Sequence, residues 1–443
     1  MNEKNLLIKN ARIIDTASGL DDVGDILIAD GKILRTGKDI SAAGAAVIDA
    51  SGLTACPGFI DLHCHLRQPG YEEKETIASG AAAAARGGYT TVCCMPNTNP
   101  PLDNAAIVGH VKEIAAREAG LITILPVGCV TKNRAGRELA DLAELAGAGC
   151  IGFSDDGSPV SSSRLMALAM QNASALDLPV IDHCEDLELS QGGHMNDGWV
   201  AVRLGLKGIP AAAEEAMVAR DIALCELTGA RLHVTHISTA GSVELVRNAK
   251  SRGLKVTCDV TPPHLTLTHE RVMQAQAGHG GALAYDTNAR VNPPLRSSAD
   301  IDSLVRGIND GTVDAITTDH APHAMADKRC EFENAASGIS SFETAFGALM
   351  SLVHAGKIDL VTLITCLTAN PARILKIGPV NLRAGAPANV ALLDTRREWT
   401  VDVKDFLSKG RNTPLDGCKL KGMVVATISG GRFAYRHNSL RIS

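Results

Sequence analysis

The stretch Ile60-Asp61-Leu62-His63-Cys64-His65-Leu66-Arg67 follows the turn-forming Cys56-Pro57-Gly58 and carries two histidines with one residue between them. In a strand, successive side chains point to opposite faces, so His63 and His65 share one face and Cys64 takes the other. Two imidazoles set about 6–7 Å apart along a strand can grip one metal ion from below. The same spacing also suits a solvated strand, so the weight rests on what the other strands supply. Cys64 reads as a core residue. Arg67, two residues beyond His65 and on its face, suits a substrate anion.

Working outward, eight apolar segments read as strands, at 53–65, 90–95, 123–127, 150–154, 179–183, 231–236, 255–260 and 314–318. Helical periods lie between most of them. Ile301, Leu304, Val305 and Ile308 form one face, with Ser298 as its cap, and Ile107, Val111 and Ile114 form another. Eight such alternations predict an α/β fold, a (β/α)8 TIM-type barrel, which typically needs about 250 residues. An open doubly wound sheet is the alternative, but no Gly-rich fingerprint follows the first strand. Residues 6–50 read as short strands, with Asp30-Gly31 as a hairpin turn. Strand patterns return after Gly378-Pro379, at 388–394 and 421–428. The two ends are expected to pair in one β module, residues 1–55 with 379–443, beside a barrel of residues 56–378.

The chain has 443 residues, is 45% hydrophobic and carries a net charge of −6, a globular profile with no basic field for nucleic acid. No apolar run approaches the roughly eighteen residues of a membrane span, and Met1-Asn2-Glu3-Lys4 does not read as a leader. Twelve cysteines fall mostly in apolar runs without paired spacing, so they are expected to be buried and reduced, as in the cytoplasm.

In a barrel the C-terminal strand ends carry the site. They supply His63, His65 and Arg67, then Asn97, Asp155-Asp156, His183, His236, and Asp319 with His323. His63, His65, Asp155, His183, His236 and Asp319 make a sound ligand set for two Zn2+ ions. Asp155, taken as facing the rim, is expected to bridge them together with a hydroxide. Asp156 reads as a helix cap. His233, His264 and His269 read as packed or loop residues, His320 as facing away, and Asn97 as either turn-forming or functional. The surplus positive charge suits an anionic substrate. Asp319, touching metal and water, could take a proton and pass it to a leaving nitrogen, the chemistry of C–N bond hydrolysis.

Taken together, the sequence resembles the amidohydrolase superfamily and, within it, the class I dihydroorotases. The resemblance rests on Asp61–Gly70, on Met95-Pro96-Asn97-Thr98, on Phe153-Ser154-Asp155-Asp156-Gly157 and on Asp182-His183-Cys184-Glu185. It extends to His236-Ile237-Ser238-Thr239, Val291-Asn292-Pro293-Pro294-Leu295-Arg296 and Thr318-Asp319-His320-Ala321-Pro322-His323. It implies a barrel with a β-sandwich built from both chain ends, the six-residue zinc set, and Asp319 as acid/base. It also implies substrate contacts from His65, Arg67, Asn97, Asn292 and His323. Ser337 and Gly338 stand where relatives carry Phe-Gly in a turn lining the substrate ring.

The implied reaction is the reversible conversion of L-dihydroorotate and water to N-carbamoyl-L-aspartate, in pyrimidine biosynthesis. Relatives with a carboxylated lysine on the fourth strand, hydantoinases and allantoinases among them, are set apart because no lysine lies between Lys132 and Lys207. A non-catalytic scaffold for aspartate transcarbamoylase is the rival, disfavoured because no ligand is lost. A homodimer is expected, with aspartate transcarbamoylase as the partner to test and no membrane or nucleic-acid partner. The Gly-rich segment 278–290 is expected to act as a lid.

Overall fold

A computed structural model describes residues 5–273, 285–378 and 380–443. The glycines of the expected lid, Gly278, Gly280 and Gly281, lie outside the described residues, as do residues 1–4 and Pro379 at the expected boundary.

The strand expected over residues 53–65 is cut at Gly58. Thr54–Pro57 pairs with strands from both chain ends, whereas Phe59–Cys64 enters a separate parallel sheet. A side chain at position 58 would run into that of Thr90, whose Cγ2 is 2.3 Å from a built Cβ, so glycine leaves room for Thr90 here.

The strands of the two ends form one eight-stranded mixed sheet. Asn5–Asp15 pairs with Leu20–Ala29 on one side and, on the other, with Ala46–Asp49 and then Thr54–Pro57. Val390–Thr400 joins Thr54–Pro57 and leads on to Lys419–Ser429 and Arg432–Arg436. The hydrogen bonds of these strands run through one continuous sheet. The Asp30-Gly31 turn forms as expected. Ala29 pairs with Lys32, and both turn residues have positive φ, 48° and 76°, which suits a tight hairpin. Apolar alternation along these strands buries Ile8, Ile13, Ile26, Ile28, Leu392 and Ile428 in one cluster.

The remaining strands are all parallel. Phe59–Cys64, Tyr89–Cys94 and Thr123–Pro126 form one sheet, and Pro179–Asp182, Arg231–Val234, Val256–Val260 and Ala315–Ile316 form another. Single parallel bridges join them on both sides, Gly128 to Phe153 to Val180 on one and Cys64 to His320 on the other. The fourth expected strand therefore shrinks to the one bridging residue, Phe153. Buried Asp61 reinforces the other junction, accepting hydrogen bonds from Thr318 N, Thr317 Oγ1 and Thr318 Oγ1, each at 2.7 Å. Burial pushes its carboxyl up to about 6, against those donors.

Helices alternate with these strands. Ser298–Asn309 buries Ile301, Leu304, Val305 and Ile308 as its period requires, but Ser297, not Ser298, caps it, in a box with Asp300. In Ala105–Glu118 the buried face is Val108, Val111 and Ile114, with Ile107 half-buried beside it. Ile60, Leu62, Cys93, Met95, Val127, Ile181 and Ala315 pack with Ala372, Ile374 and Leu375 in one core cluster, while Cys64, Val92 and Val180 belong to another. A register shift between Asp61 and Cys64 separates Leu62 from Cys64. All twelve cysteines are free, and only Cys330 and Cys418 are not buried. Among the described residues no helix is long and apolar enough to cross a membrane.

Candidate metal centre and active site

The strand ends bring four imidazoles and two carboxylates together. The rings of His63 and His65 lie 5.1 Å apart, His63 and His236 5.1 Å, and His183 and His236 4.8 Å. The carboxylate in their midst is that of Asp156. Its Oδ1 is 3.3 Å from His63 Nε2, 3.6 Å from His236 Nε2 and 3.8 Å from His183 Nδ1, and its Oδ2 is 3.6 Å from His65 Nε2. Asp319 Oδ1 completes the group, 3.1 Å from His65 Nε2 and 3.6 Å from His63 Nε2.

Asp155, expected to bridge, is turned away. Its Oδ1 accepts from Val130 N and Thr131 N at 2.9 and 3.0 Å, and its Oδ2 from the Thr131 hydroxyl. Burial raises its carboxyl to about 6 in spite of these donors. The alternation that placed Asp155 on the rim stops at Ser154, whose Oγ accepts from Asp156 N and starts a turn. Asp156 thus takes the place foreseen for its neighbour and caps no helix there.

Three of these residues hold a backbone that side-chain-bearing residues rarely adopt. φ is 61° at Arg67, 40° at His236 and 42° at Asp319. Such strain at strand ends turns a side chain out of simple alternation, and it persists only where the surroundings enforce it. Following Asp319, His320 faces away as expected, stacked on Phe342 with ring centroids 4.3 Å apart and its Nε2 3.3 Å from buried Glu75.

The centre suits a divalent metal. His63 Nε2 and Asp156 Oδ1 are buried without any hydrogen-bond partner, a costly state unless something else fills their valence. His183 Nδ1 and His236 Nε2 face each other at 3.0 Å; two nitrogens about 2.0–2.1 Å from one tetrahedral ion stand at much this spacing. His63, Asp156 and His236 form one compact donor group, and His63, His65 and Asp319 a second, each with its atoms within 4.8 Å of one another. Burial favours neutral carboxyls, but the surrounding imidazoles win, holding Asp319 down to about 2 and Asp156 well below its ordinary range. Burial opposes charge on His63, yet Asp156 and Asp319 raise it to about 9. A metal dication would replace that proton.

Around the centre, residues expected to touch substrate also bond to the candidate metal-binding groups or to their partners. Asn97 Oδ1 is 2.8 Å from His65 Nδ1, and its amide donates to Asp156 Oδ2 at 3.3 Å. Asn292 donates to Glu185 Oε2 at 2.9 Å, and Glu185 accepts from His183 Nε2 at 3.0 Å. This leaves Nδ1 of His183 free to face inward. Glu185 was not foreseen as functional, nor was Thr235, whose Oγ1 is 2.9 Å from His63 Nδ1. Only spatial proximity reveals them. His264, read as a loop residue, is buried and bonded to Pro293 O and Thr261 Oγ1.

Arg67 stands at one edge of the centre. Arg67 donates through Nε to Pro322 O at 3.1 Å, and its NH2 lies 3.3 Å from His323 Nε2. Burial and then the Arg67 charge hold His323 down to about 3, so it is neutral at physiological pH. His323 Nε2 also lies 2.9 Å from the Ser337 carbonyl. Gly338, at φ 146°, leaves room that a Cβ would take from Ala321, at 2.8 Å, and from His323 Nε2, at 3.0 Å. Asn412, from the far end of the chain, ties this turn together. Its Oδ1 accepts from His323 N and Ser340 Oγ, and its Nδ2 donates to the carbonyls of Ala321 and Gly338.

Solved structures share this fold. L-hydantoinase (dihydropyrimidinase) from Arthrobacter aurescens superposes with a TM-score of 0.84 at 24% identity over 98% of this chain and 97% of its own. Dihydropyrimidinase from Brevibacillus agri does so with 0.82 at 22% identity, over 99% and 96%. The family model described as "Dihydro-orotase-like" matches residues 52–242. Fold, site and relatives together define a hydrolase of cyclic amides within the amidohydrolase superfamily.

The particular family follows from full-length similarity. Proteins named dihydroorotase from Pelotomaculum thermopropionicum and Anaeromyxobacter dehalogenans are 47% and 49% identical to the chain, covering 98% and 97% of it and 100% and 98% of their own length. One from Thermoanaerobacter sp. is 48% identical, covering 97% of both chains. The chain belongs to the dihydroorotase family.

Proposed function

We propose that the chain catalyses the reversible hydrolysis of L-dihydroorotate to N-carbamoyl-L-aspartate in the cytoplasm, as a homodimer, in pyrimidine biosynthesis. The observation that carries this is the pairing of the His/Asp centre with the Arg67–His323 edge, in a chain similar to dihydroorotases over nearly its whole length. The ring of parallel strands and bridges reads as the closed (β/α)8 barrel, with the terminal sheet beside it.

Two zinc ions would be held by His63, His65, Asp156, His183, His236 and Asp319. When bound, they supply Lewis-acid polarisation of the ring amide and a lowered pKa for the attacking water. Arg67 binds the substrate carboxylate by its planar fork, with neutral His323 beside it, its one N–H turned to the Ser337 carbonyl. Asn97 and Asn292 line the same rim. Asp319, held ionised, accepts a proton from the attacking water and returns it to the ring nitrogen as the C–N bond breaks. The water oxygen ends in the new carboxylate. The turn at Ser337 and Gly338 closes the ring side of the pocket.

The test is to count zinc per chain and follow turnover of L-dihydroorotate, hydantoin and allantoin in parallel. Dihydroorotate turnover exceeding the other two is expected. Zinc-loaded protein that leaves dihydroorotate untouched would refute the assignment and favour a non-catalytic partner of aspartate transcarbamoylase.

A further inference from the structure

We infer that Asp259 is a positioning residue that sets two metal-facing histidines on different strands at once. Asp259 stands on Val256–Val260 and is completely buried. Its Oδ1 accepts the backbone N–H of His236 at 2.6 Å, and its Oδ2 lies 2.8 Å from His233 Nε2. The Thr235 hydroxyl lies 3.3 and 3.2 Å from its two oxygens and, on its other side, 2.9 Å from His63 Nδ1.

The proton directions follow from donor chemistry. The Thr235 hydroxyl spends its single proton on Asp259. Its lone pairs are then left for an N–H on His63 Nδ1. With that proton fixed on Nδ1, His63 presents the bare lone pair of Nε2 to the centre. This is the buried nitrogen that has no hydrogen-bond partner and lies 3.3 Å from Asp156. The carboxylate thus reaches His63 through Thr235, selecting its tautomer and raising its basicity as a ligand.

Its second reach is direct. His236 sits at φ 40°, a conformation that must be held in place. The short bond from its N–H to Asp259 does so, and the Asp259 carbonyl accepts the next amide, Ile237 N, at 3.0 Å. The two histidines lie on strands that are not neighbours in the ring, Phe59–Cys64 and the end of Arg231–Val234. One buried carboxylate coordinates both.

A carboxylate that merely fastened Arg231–Val234 to Val256–Val260 would add little, because the backbones of those strands already pair directly. Its test must therefore read the metal centre. The inference rests on His63 and His236 holding metal, as proposed above. Full-length wild type, Thr235→Val, Thr235→Ser and Asp259→Asn are stripped and reloaded with zinc against a competing chelator, and with cobalt for the visible spectrum.

Zinc affinity is expected to fall about 10–100-fold in Thr235→Val and Asp259→Asn, with an altered cobalt spectrum, and to return in Thr235→Ser, which keeps the hydroxyl. Thr235→Val preserves side-chain shape, so it carries the test if Asp259→Asn does not fold. Wild-type affinity and spectrum in Thr235→Val would overturn the inference while leaving the metal centre standing. Wild-type protein that takes up no zinc would overturn the metal centre itself, and this inference with it.

Discussion

Asp155 and Asp156 are adjacent in the chain, yet the Asp156 carboxylate stands among four imidazoles while that of Asp155 is spent on the backbone and hydroxyl of Val130 and Thr131. Exchanging either residue for asparagine or alanine should separate the two roles. Asp156→Ala is expected to lose bound zinc and turnover while keeping its circular dichroism. Asp155→Asn is expected to keep zinc but to lose about 1–3 kcal/mol of stability, since it weakens a buried, fully used acceptor. Elemental analysis and denaturant melts read the two effects. The reverse pattern would restore Asp155 as the bridge.

Asp319 is held ionised by the imidazoles around it, ready to accept a proton. Asp319→Asn should retain the fold and lower kcat by about 10²–10⁴-fold, the usual worth of a positioned acid/base group. Wild-type kcat in that variant would remove the role.

Arg67 reaches the pocket from a strained backbone and is anchored by Pro322. Arg67→Lys keeps the charge but loses the fork, and lysine has no second nitrogen to hold Pro322 while binding a carboxylate. A KM increase of roughly 10–100-fold is expected, from a lost charge-assisted hydrogen bond of about 1.5–3 kcal/mol, with a smaller change in kcat. An unchanged KM would place the substrate carboxylate elsewhere.

Away from the centre, the Glu343 side chain is 1% exposed and lies 3.1 Å from Arg86. Burial raises its carboxyl from 4.5 to about 7, against the Leu407 and Ser408 amides and Arg86. A carboxyl whose folded value is raised binds its proton more tightly when folded. Its contribution to stability is therefore greatest at and below pH 4.5 and is lost as pH rises to 7. Relative to Glu343→Gln, wild type should lose up to about 3 kcal/mol across that window. Thermal melts of both proteins at several pH values measure the difference; a constant gap from pH 4.5 to 7 would contradict the raised value.

Much of this molecule is legible wherever the physics is local. The His63–His65 spacing, the hairpin at Asp30-Gly31 and the buried face of Ser298–Asn309 follow from period and turn chemistry alone. Strand ends are harder, because alternation fails where a backbone turns. At Ser154 the turn exchanged Asp155 for Asp156, and at His236 and Asp319 positive φ overrides parity. Residues that hydrogen-bond to the histidines of the centre are harder still. Thr235, Glu185 and Asp259 resemble any threonine or acid in a strand or loop until their partners, up to 172 residues away for Thr235 and His63, stand beside them.

Asn412 gives the site an order in time. The turn carrying His323 and Gly338 is tied by four hydrogen bonds to a side chain near the end of the chain. The histidine clip likewise enters from Thr54–Pro57, whose neighbour is Val390–Thr400. During synthesis, then, His63, His65, Asp156, His183, His236 and Asp319 all leave the ribosome before Asn412 does. The turn carrying His323 and Gly338 gains its four bonds only once Asn412 has emerged.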